Sequence, residues 1–251
     1  MKPILLIGDS CTDKFVYCKC KRLCPEAPIP LLDIIKTKTN RGMAGNVFKN
    51  IQALGCDVVF FTNTNYKNII KTRYVDQKTN HMFIRIDSRA ELKSTFKDCK
   101  SQINFDDYSS VVISDYDKGF ITAEDIQFIS NNHPVTFLDT KKIIGNWVES
   151  VKFIKINRAE YELSKNYLTE KIRNNIITTL GSGGAVYHNI QYDVEGVEVK
   201  DLSGAGDTFL SGLVCMFLNT NNIEESIKFA NTCATSVVQR KGVTVLSKNI
   251  L

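Results

Sequence analysis

The sequence has little of what marks several large classes of protein. Proline contributes 5 and glycine 14 of the 251 residues, too few for a collagen-like or low-complexity chain. No apolar run approaches the roughly 18 residues that a membrane-spanning helix needs. The apolar run at residues 4–7 is too short for a signal peptide and meets Asp9 at once. We therefore expect a cytoplasmic protein with no membrane partner.

The chain also has only a small excess of positive over negative charge. The chain carries 32 Lys and Arg against 27 Asp and Glu, a net charge of +5. An excess this small suits anionic small molecules but gives no basis for predicting a nucleic-acid partner. The composition, 43% hydrophobic and 24% charged, is that of a globular chain long enough to bury a core without disulfides or structural metals.

Metal-ligand spacing and three widespread catalytic motifs are missing. Four of the eight cysteines lie between Cys11 and Cys24, but they lack the paired C-x-x-C of structural zinc sites. We expect reduced cysteines that pack as small apolar residues. The sequence has no G-x-x-x-x-G-K-[ST] loop, no complete G-x-G-x-x-G and no G-x-S-x-G, so it gives hydrolase and dehydrogenase functions little support.

Short apolar runs alternate with segments of helical periodicity. The runs predict buried strands at residues 2–7, 56–62, 109–114, 134–138 and 152–156. The periodic segments predict helices at residues 45–54, 122–131, 209–218 and 223–239. This alternation predicts an α/β fold with a parallel sheet covered on both faces. Two β-rich segments, about 14–40 and 72–87, interrupt it and are expected to form a small separate sheet.

The strongest local signal is D-L-S-G-A-G-D-T at residues 201–208, where an apolar helix begins. Glycines there let the backbone approach a ligand closely, and the free amides of a first helical turn bind anions. With Asp207 beside them, these groups suit phosphoryl transfer, in which amides stabilise the phosphoryl charge and an acid takes the hydroxyl proton. Alternatively, Asp207 only complements the helix dipole, worth under about 1 kcal/mol. This segment alone leaves both interpretations open.

The same segment resembles the C-terminal D-x-x-G-A-G-D-T-F signature of the ribokinase/pfkB carbohydrate kinase family. The resemblance implies one domain over residues 1–251, a ribokinase-like three-layer α/β/α sandwich with a mostly parallel central sheet and a small β lid. It also implies that Asp207 is the catalytic base and that the amides of Gly204, Ala205 and Gly206 form the anion hole.

Three further segments resemble the family's ATP and Mg²⁺ sites: K-I-N-R-A-E at 155–160, T-L-G-S-G-G at 179–184, and the segment 230–242. By this resemblance Asn157 and Glu160 would organise Mg²⁺ and phosphate. The residues assigned to ATP are Asn157, Glu160, Thr179, Gly181, Gly184, Asn231 and Gly242.

The acceptor side resembles the family in G-D-S-C-T-D at 8–13, N-R-G-M-A-G-N-V at 40–47 and S-D-Y-D-K-G at 114–119. Residues 13–17, residues 22–30 and F-I-R-I-D at 83–87 further resemble the D-glycero-β-D-manno-heptose 7-phosphate kinase branch. The acceptor-binding residues implied are Asp9, Asp13, Gly42, Gly45, Asn46 and Arg85. A phosphosugar also needs cations; the candidates are Arg22, Arg41, Arg73, Arg85 and Lys141, each of which except Arg85 is more simply explained as a solvated charge.

The chain also departs from the family pattern. Only residues 63–71 stand where relatives have a G-D-D-x-x-G segment and a helix, and residues 163–176 are similarly shortened. Met43 replaces the second of two adjacent glycines, which leaves the sugar specificity open.

The expected function is transfer of the γ-phosphoryl group of ATP to a sugar or sugar phosphate, at C1 of D-glycero-D-manno-heptose 7-phosphate. The alternatives are a kinase for another sugar or a nucleoside, and a trimmed relative that binds without turnover. The resemblance also implies a homodimer.

Overall fold

The computed structural model describes residues 2–88 and 91–247, which form twelve strands and six α-helices. The strands are β1 Ile4–Gly8, β2 Ser10–Leu23, β3 Pro30–Met43, β4 Val58–Phe61, β5 Ile70–Asp76, β6 Met82–Asp87, β7 Ser110–Asp115, β8 Thr136–Thr140, β9 Phe153–Asn157, β10 Ile176–Thr179, β11 Ala185–Tyr187 and β12 Ile190–Tyr192. The helices are α1 Ala44–Ala53, α2 Ala123–Asn132, α3 Arg158–Ser164, α4 Glu170–Arg173, α5 Ala205–Thr220 and α6 Ile223–Val238. None of these helices is long and apolar enough to cross a membrane.

Eight strands form the central sheet in the order β12-β11-β10-β9-β8-β7-β1-β4. The six strands from β10 to β4 pair in parallel, while β11 and β12 pair antiparallel at one edge. The central strands are continuous apolar runs because both faces of a parallel sheet are covered. Strand β1 is buried along its whole length.

Successive residues of each strand point to opposite faces and supply two separate cores. Leu6 packs with Val47 of α1 and Leu213 of α5 on one face. Leu5 packs with Ile126 of α2 and Ile172 of α4 on the other. The predicted three-layer α/β/α sandwich is therefore confirmed.

A second sheet has the order β3-β2-β5-β6. Strand β5 is parallel to β2, and the other pairs are antiparallel. Its face toward the rest of the molecule buries Phe15, Tyr17 and Val75. This sheet is the predicted small lid, although β2 and β3 run from Ser10 to Met43 and so exceed the predicted 14–40 segment at both ends.

The shortened segment after β4 is well anchored. A single 3₁₀ turn, Tyr66–Asn68, leads from β4 toward β5. The buried Asn63 side chain accepts a hydrogen bond from the Ser10 amide at 2.7 Å and donates one to the Ser10 carbonyl at 3.2 Å. This exchange ties the segment to the start of β2, so residues 62–69 suffice to connect the central sheet to the lid.

Candidate active site

Asp207 lies in the first turn of α5, where a tight turn brings the helix start against α1. Gly204 caps the helix with φ +85°, and a Cβ at this position would lie 2.7 Å from Asn46 Nδ2. Glycine is therefore needed here for both conformation and space. The Asp207 side chain itself is only 4% exposed.

Two side chains hold the Asp207 carboxylate. Asn46 Nδ2 donates to Oδ2 at 3.0 Å, and the Tyr116 hydroxyl donates to Oδ1. Burial raises the pKa of Asp207 to about 6. The hydrogen bonds from Tyr116 and Asn46 lower this pKa. The charge of Asp139 raises it, and the charge of Lys155 lowers it. A carboxylate with a pKa near neutrality is ionised at pH 7 and still basic enough to take a proton.

A buried ion pair lies beside the Gly-Ala-Gly turn. Lys155 Nζ on β9 is 2.7 Å from Asp139 Oδ2 at the end of β8, and both side chains are 4% exposed. A Cβ at Gly206 would lie 3.0 Å from Lys155 Nζ. The ammonium group therefore reinforces the positive end of α5, where the free amides of the first turn also lie.

A cleft of about 810 Å³ opens onto Asp207. Its wall contains most of the residues predicted for the anion hole and for ATP: Gly204, Ala205, Gly206, Asn157, Thr179, Gly181, Gly184 and Asn231. Glu160 and Gly242 are not part of the wall. The Gly242 amide instead donates to Asp201 Oδ2 at 3.0 Å, in the segment that leads into α5.

The conformation of the turn at residues 181–184 also requires glycine. Gly181 and Gly184 have φ of +61° and +74°, and a Cβ at Gly184 would lie 2.0 Å from the Tyr192 carbonyl oxygen. Asn231 on α6 donates to the same carbonyl at 2.8 Å. The Asn231 amide thus joins α6 to β12 at the rim of the cleft.

Asn157 and Glu160 form a reciprocal capping box at the start of α3. Asn157 Oδ1 accepts from the Glu160 amide at 2.9 Å, and Glu160 Oε2 accepts from the Asn157 amide at 2.8 Å. Lys141 bridges Glu160 and Asp139. Asp139 Oδ1 is buried with no hydrogen-bond partner among the described residues. The side-chain oxygens of Asn157, Glu160 and Asp139 are ligands that fit Mg²⁺, which prefers carboxylate and carbonyl oxygens.

Of the predicted acceptor residues, Asp9 has a clear structural task. It is fully buried, and its carboxylate accepts from the amides of Tyr116 at 2.7 Å, Phe120 at 3.2 Å and Lys118 at 3.4 Å. Asp9 therefore holds the loop that places Tyr116 against Asp207. Direct binding of the acceptor by Asp9 stays a prediction.

Asp13, Gly42 and Asn46 lie together at the junction of the lid and α1. Asp13 Oδ1 pairs with Arg73 Nη1 at 2.6 Å, and a Cβ at Gly42 would lie 2.1 Å from Asp13 Oδ2. Asn46 reaches Asp207 from the other side. A Cβ at Gly45 would lie 2.2 Å from Arg41 Cγ, so this glycine makes room for an arginine.

The remaining cationic candidates are Arg85, Arg41 and Arg22, and the first two already interact with other side chains. Arg85 pairs with Asp87 at 2.7 Å on the edge strand β6. The Arg41 guanidinium lies 4.3 Å from the ring centroid of Tyr66 and 4.6 Å from that of Phe60. Arg22 is exposed near the end of β2.

Met43 begins α1 in a conformation that suits glycine. Its φ is +58° and its ψ is −135°, a region that costs a residue with a side chain about 1–3 kcal/mol. The side chain is buried with Cys11 and Ile69, next to Tyr116. Met43 thus keeps the glycine backbone conformation and fills the space that a glycine would leave empty.

Four residues around Asp207 were missed as site residues from sequence: Lys71, Tyr116, Asp139 and Lys155. Tyr116 and Lys155 stand within segments 114–119 and 155–160, so the resemblance did point to their neighbourhood. Asp139 and Lys71 carry no local signal, because each is brought to the site by strand pairing with distant residues.

Comparison with known proteins agrees with this geometry. A family model described as pfkB family carbohydrate kinase matches residues 63–249, which is most of the chain. The chain therefore belongs to the pfkB family of carbohydrate kinases, as the sequence motifs predicted.

Two relatives extend the match to nearly the whole chain. The bifunctional protein HldE of Sulfurimonas denitrificans is 28% identical over 97% of this chain and 62% of its own length. The bifunctional protein HldE of Helicobacter pylori is 28% identical over 98% of this chain and 65% of its own length. The chain thus spans slightly less than two thirds of the length of these relatives.

Solved structures confirm the ribokinase-like fold. Thermotoga maritima ribokinase superposes with a TM-score of 0.73 at 17% identity, covering 100% of this chain and 98% of its own. The Methanocaldococcus jannaschii nucleoside kinase superposes with a TM-score of 0.70 at 16% identity, covering 98% of this chain and 95% of its own. At such identities the likeness concerns the fold alone.

Proposed function

We propose that this chain uses ATP and Mg²⁺ to phosphorylate C1 of D-glycero-D-manno-heptose 7-phosphate. The observation that carries the proposal is the buried Asp207 carboxylate, oriented by Asn46 and Tyr116 at the end of an 810 Å³ cleft. Membership in a carbohydrate kinase family supports the reaction type. The heptose acceptor is supported by the resemblance of residues 13–17, 22–30 and 83–87 to that branch.

In the proposed reaction Asp207 takes the proton of the C1 hydroxyl while the hydroxyl oxygen attacks the γ-phosphorus of ATP. The bond from the γ-phosphorus to the bridging oxygen breaks, and ADP leaves with the electron pair. The amides of the Gly204–Gly206 turn and the Lys155 ammonium group stabilise the negative charge of the transferring phosphoryl group. A positioned base of this kind contributes on the order of 10²–10⁴ in rate.

The lining of the cleft offers the two kinds of surface that ATP needs. Its apolar side chains are Val197, Val199, Leu202, Ala234 and Val238. They suit the adenine ring. Asn157, Thr179 and the 181–184 turn also line the cleft and suit the phosphates. Asn157 and Glu160 would hold Mg²⁺, which would supply positive charge for those phosphates.

We also propose that two copies pair through their lids. Ile84 and Ile86 on β6 alternate with Arg85 and Asp87, so they lie on the outward face of the small sheet, where both are exposed. Ile34 and Ile35 on β3 are exposed as well. The dimer would work in the cytoplasm, a reducing compartment that suits eight unpaired cysteines. Light scattering of the purified chain tests the pairing, and a monomer at assay concentrations contradicts it.

The decisive experiment measures ADP release with ATP, Mg²⁺ and a panel of acceptors. The panel contains D-glycero-D-manno-heptose 7-phosphate, the unphosphorylated heptose, ribose, fructose 6-phosphate and adenosine. We expect turnover with the heptose phosphate, reduced at least about 100-fold in Asp207→Asn. Turnover with another acceptor only overturns the proposed substrate. ATP binding without turnover of any acceptor favours a non-catalytic relative, and full activity of Asp207→Asn overturns its role as base.

A further inference from the structure

Lys71 is a buried lysine on β5, at the interface between the lid and Asp207. Its side chain is only 9% exposed. In the lid sheet it pairs with Asp13 of β2 on one side and Asp87 of β6 on the other. Paired residues of neighbouring strands share a face, so Lys71 belongs to the face that carries Asp13 and its partner Arg73.

The cations around Lys71 are already matched by carboxylates. Arg73 Nη1 lies 2.6 Å from Asp13 Oδ1, and Arg85 Nη2 lies 2.7 Å from Asp87 Oδ2. Lys155 pairs with Asp139 and Lys141 with Glu160 in the cleft. Within residues 2–88 and 91–247, Lys71 forms no hydrogen bond or ion pair; its Nζ lies 5.4 Å from the ring centroid of Tyr116.

The Lys71 side chain is largely buried, but Nζ is not among the fully buried atoms that lack a hydrogen-bond partner, so the ammonium group can still be reached. Partial loss of hydration without an anionic partner is unfavourable for an ammonium group. The face of Tyr116 compensates this loss only in part. The two carboxylates in register with Lys71 are already paired with arginines. The missing anion is therefore expected from a bound molecule.

The surroundings of Lys71 favour the acceptor over ATP as this molecule. Lys71 is not in the wall of the cleft assigned to ATP. It lies beside Tyr116, whose hydroxyl donates to Asp207. The buried Cys11 thiol is within electrostatic reach of Lys71, Arg73 and Asp207. Burial and Asp13 raise its pKa to about 12, Lys71 and Arg73 oppose this rise, and Asp207 adds to it.

We propose that Lys71 binds the phosphate group of the acceptor and thereby selects a sugar phosphate over the neutral sugar. The inference rests on the proposed function, since it names the residue that recognises the charged end of that acceptor. The phosphate supplies the anion that Lys71 lacks, and Arg73 on the same face adds a second cation nearby. Asp207 then lies beside the end of the sugar that reacts.

Binding measurements test this proposal without requiring turnover. Isothermal titration calorimetry compares D-glycero-D-manno-heptose 7-phosphate with the unphosphorylated heptose, on the wild-type chain and on Lys71→Met. We expect the variant to weaken binding of the phosphate on the order of 10- to 100-fold, as for loss of a charged hydrogen bond. Binding of the neutral heptose should remain unchanged.

Lys38→Met provides the matched control, because Lys38 is an exposed lysine of the same sheet; it should bind both sugars as the wild type does. Lys71→Arg should keep the preference for the phosphate. The melting temperature of Lys71→Met should be no lower than that of the wild type, since the variant replaces a largely buried side chain whose charge has no anionic partner among the described residues.

Equal weakening of both sugars in Lys71→Met, or equal wild-type affinity for both, overturns the inference. A phosphate preference that Lys71→Met abolishes, in a chain that releases no ADP with any acceptor, supports the inference and overturns the proposed function. The two failures are therefore distinguishable.

Discussion

The two sides of Asp207 are built by different means. On the side proposed for ATP the shape comes from backbone, with Gly181, Gly184 and Gly204 at positive φ and little side-chain chemistry of their own. On the side proposed for the acceptor it comes from charged side chains of the lid, such as the Asp13–Arg73 pair. A backbone site demands particular residues and therefore leaves a motif in the sequence. A charge network depends on which strands pair, and the same lysines and arginines occur on any surface.

The sharpest test of the backbone side is Gly204→Ala, for which we expect the largest effect. The new Cβ would lie 2.7 Å from Asn46 Nδ2, at a φ of +85°. Displacing Asn46 misplaces the Asp207 carboxylate, and misplacement of a reacting group by about 1 Å can reduce the rate on the order of 100-fold. The measurement is kcat/KM for the acceptor.

Gly55→Ala is the matched control for Gly204→Ala. Gly55 has a similar φ of +80°, but a Cβ there meets nothing within 4 Å. It should lower the free energy of unfolding by about 1 kcal/mol and leave kcat/KM unchanged. If both variants lose activity equally, backbone strain rather than the contact with Asn46 explains the effect.

Tyr116→Phe removes the hydroxyl group that donates a hydrogen bond to Asp207. The Tyr116 hydroxyl bond lowers the pKa of Asp207, which burial has raised to about 6. Without that bond the pKa rises further. A base works only when deprotonated, so the acid limb of the pH profile of kcat/KM should move to higher pH. We expect activity at pH 6 to fall about fivefold, as for a pKa rise of about one unit from about 6, with a smaller loss at pH 8.

The control for this profile is Tyr74→Phe, on the lid strand β5. Tyr74 adjoins Arg73 in sequence and therefore points to the opposite face of the sheet. Its profile should match that of the wild type. An acid limb that stays in place or moves to lower pH in Tyr116→Phe would show that the hydroxyl does not tune the base.

Met43 depends on both backbone and side chain, because its side chain is buried while its backbone has a conformation that suits glycine. Met43→Gly and Met43→Ala leave similar cavities, but only glycine fits a φ of +58° with a ψ of −135°. We expect Met43→Gly to be the more stable variant by about 1 kcal/mol, in the same direction as the general preference for glycine over alanine at a helix N-cap. Urea unfolding of both variants measures this difference. A more stable alanine variant would show that this backbone conformation carries no strain.

The smallest effect is expected at the edge of the lid. Arg85 and Asp87 are both nearly half exposed, and such ion pairs contribute under about 1 kcal/mol to stability. Arg85→Met should therefore leave the unfolding transition almost unchanged. If Arg85 assists acceptor binding, KM for the heptose phosphate rises, but less than in Lys71→Met. A larger rise in Arg85→Met would assign the phosphate to the edge strand.

Much of the architecture was predictable from the sequence. The apolar runs placed the central strands within a few residues, since a strand buried on both faces must be apolar throughout. The lid was predicted more narrowly than it is, because residues 10–13 and 41–43 carry polar and glycine residues that have no strand pattern. Of the candidate site, the 204–207 and 181–184 turns were predicted, while Lys71, Tyr116, Asp139 and Lys155 were missed.

By itself, the sequence determined the layers of this protein and the position of the glycine turn proposed to bind an anion. Both follow from local rules: apolar periodicity decides which faces are buried, and glycine decides where backbone can turn sharply or approach closely. Only the tertiary structure decided which charges are paired. Asp13, Lys71 and Asp87 are far apart in the chain and become neighbours through strand pairing. That pairing matches Arg73 and Arg85 with carboxylates and leaves Lys71 unpaired in the described part of the chain, because electrostatic partners are set by distance in space rather than by order in sequence.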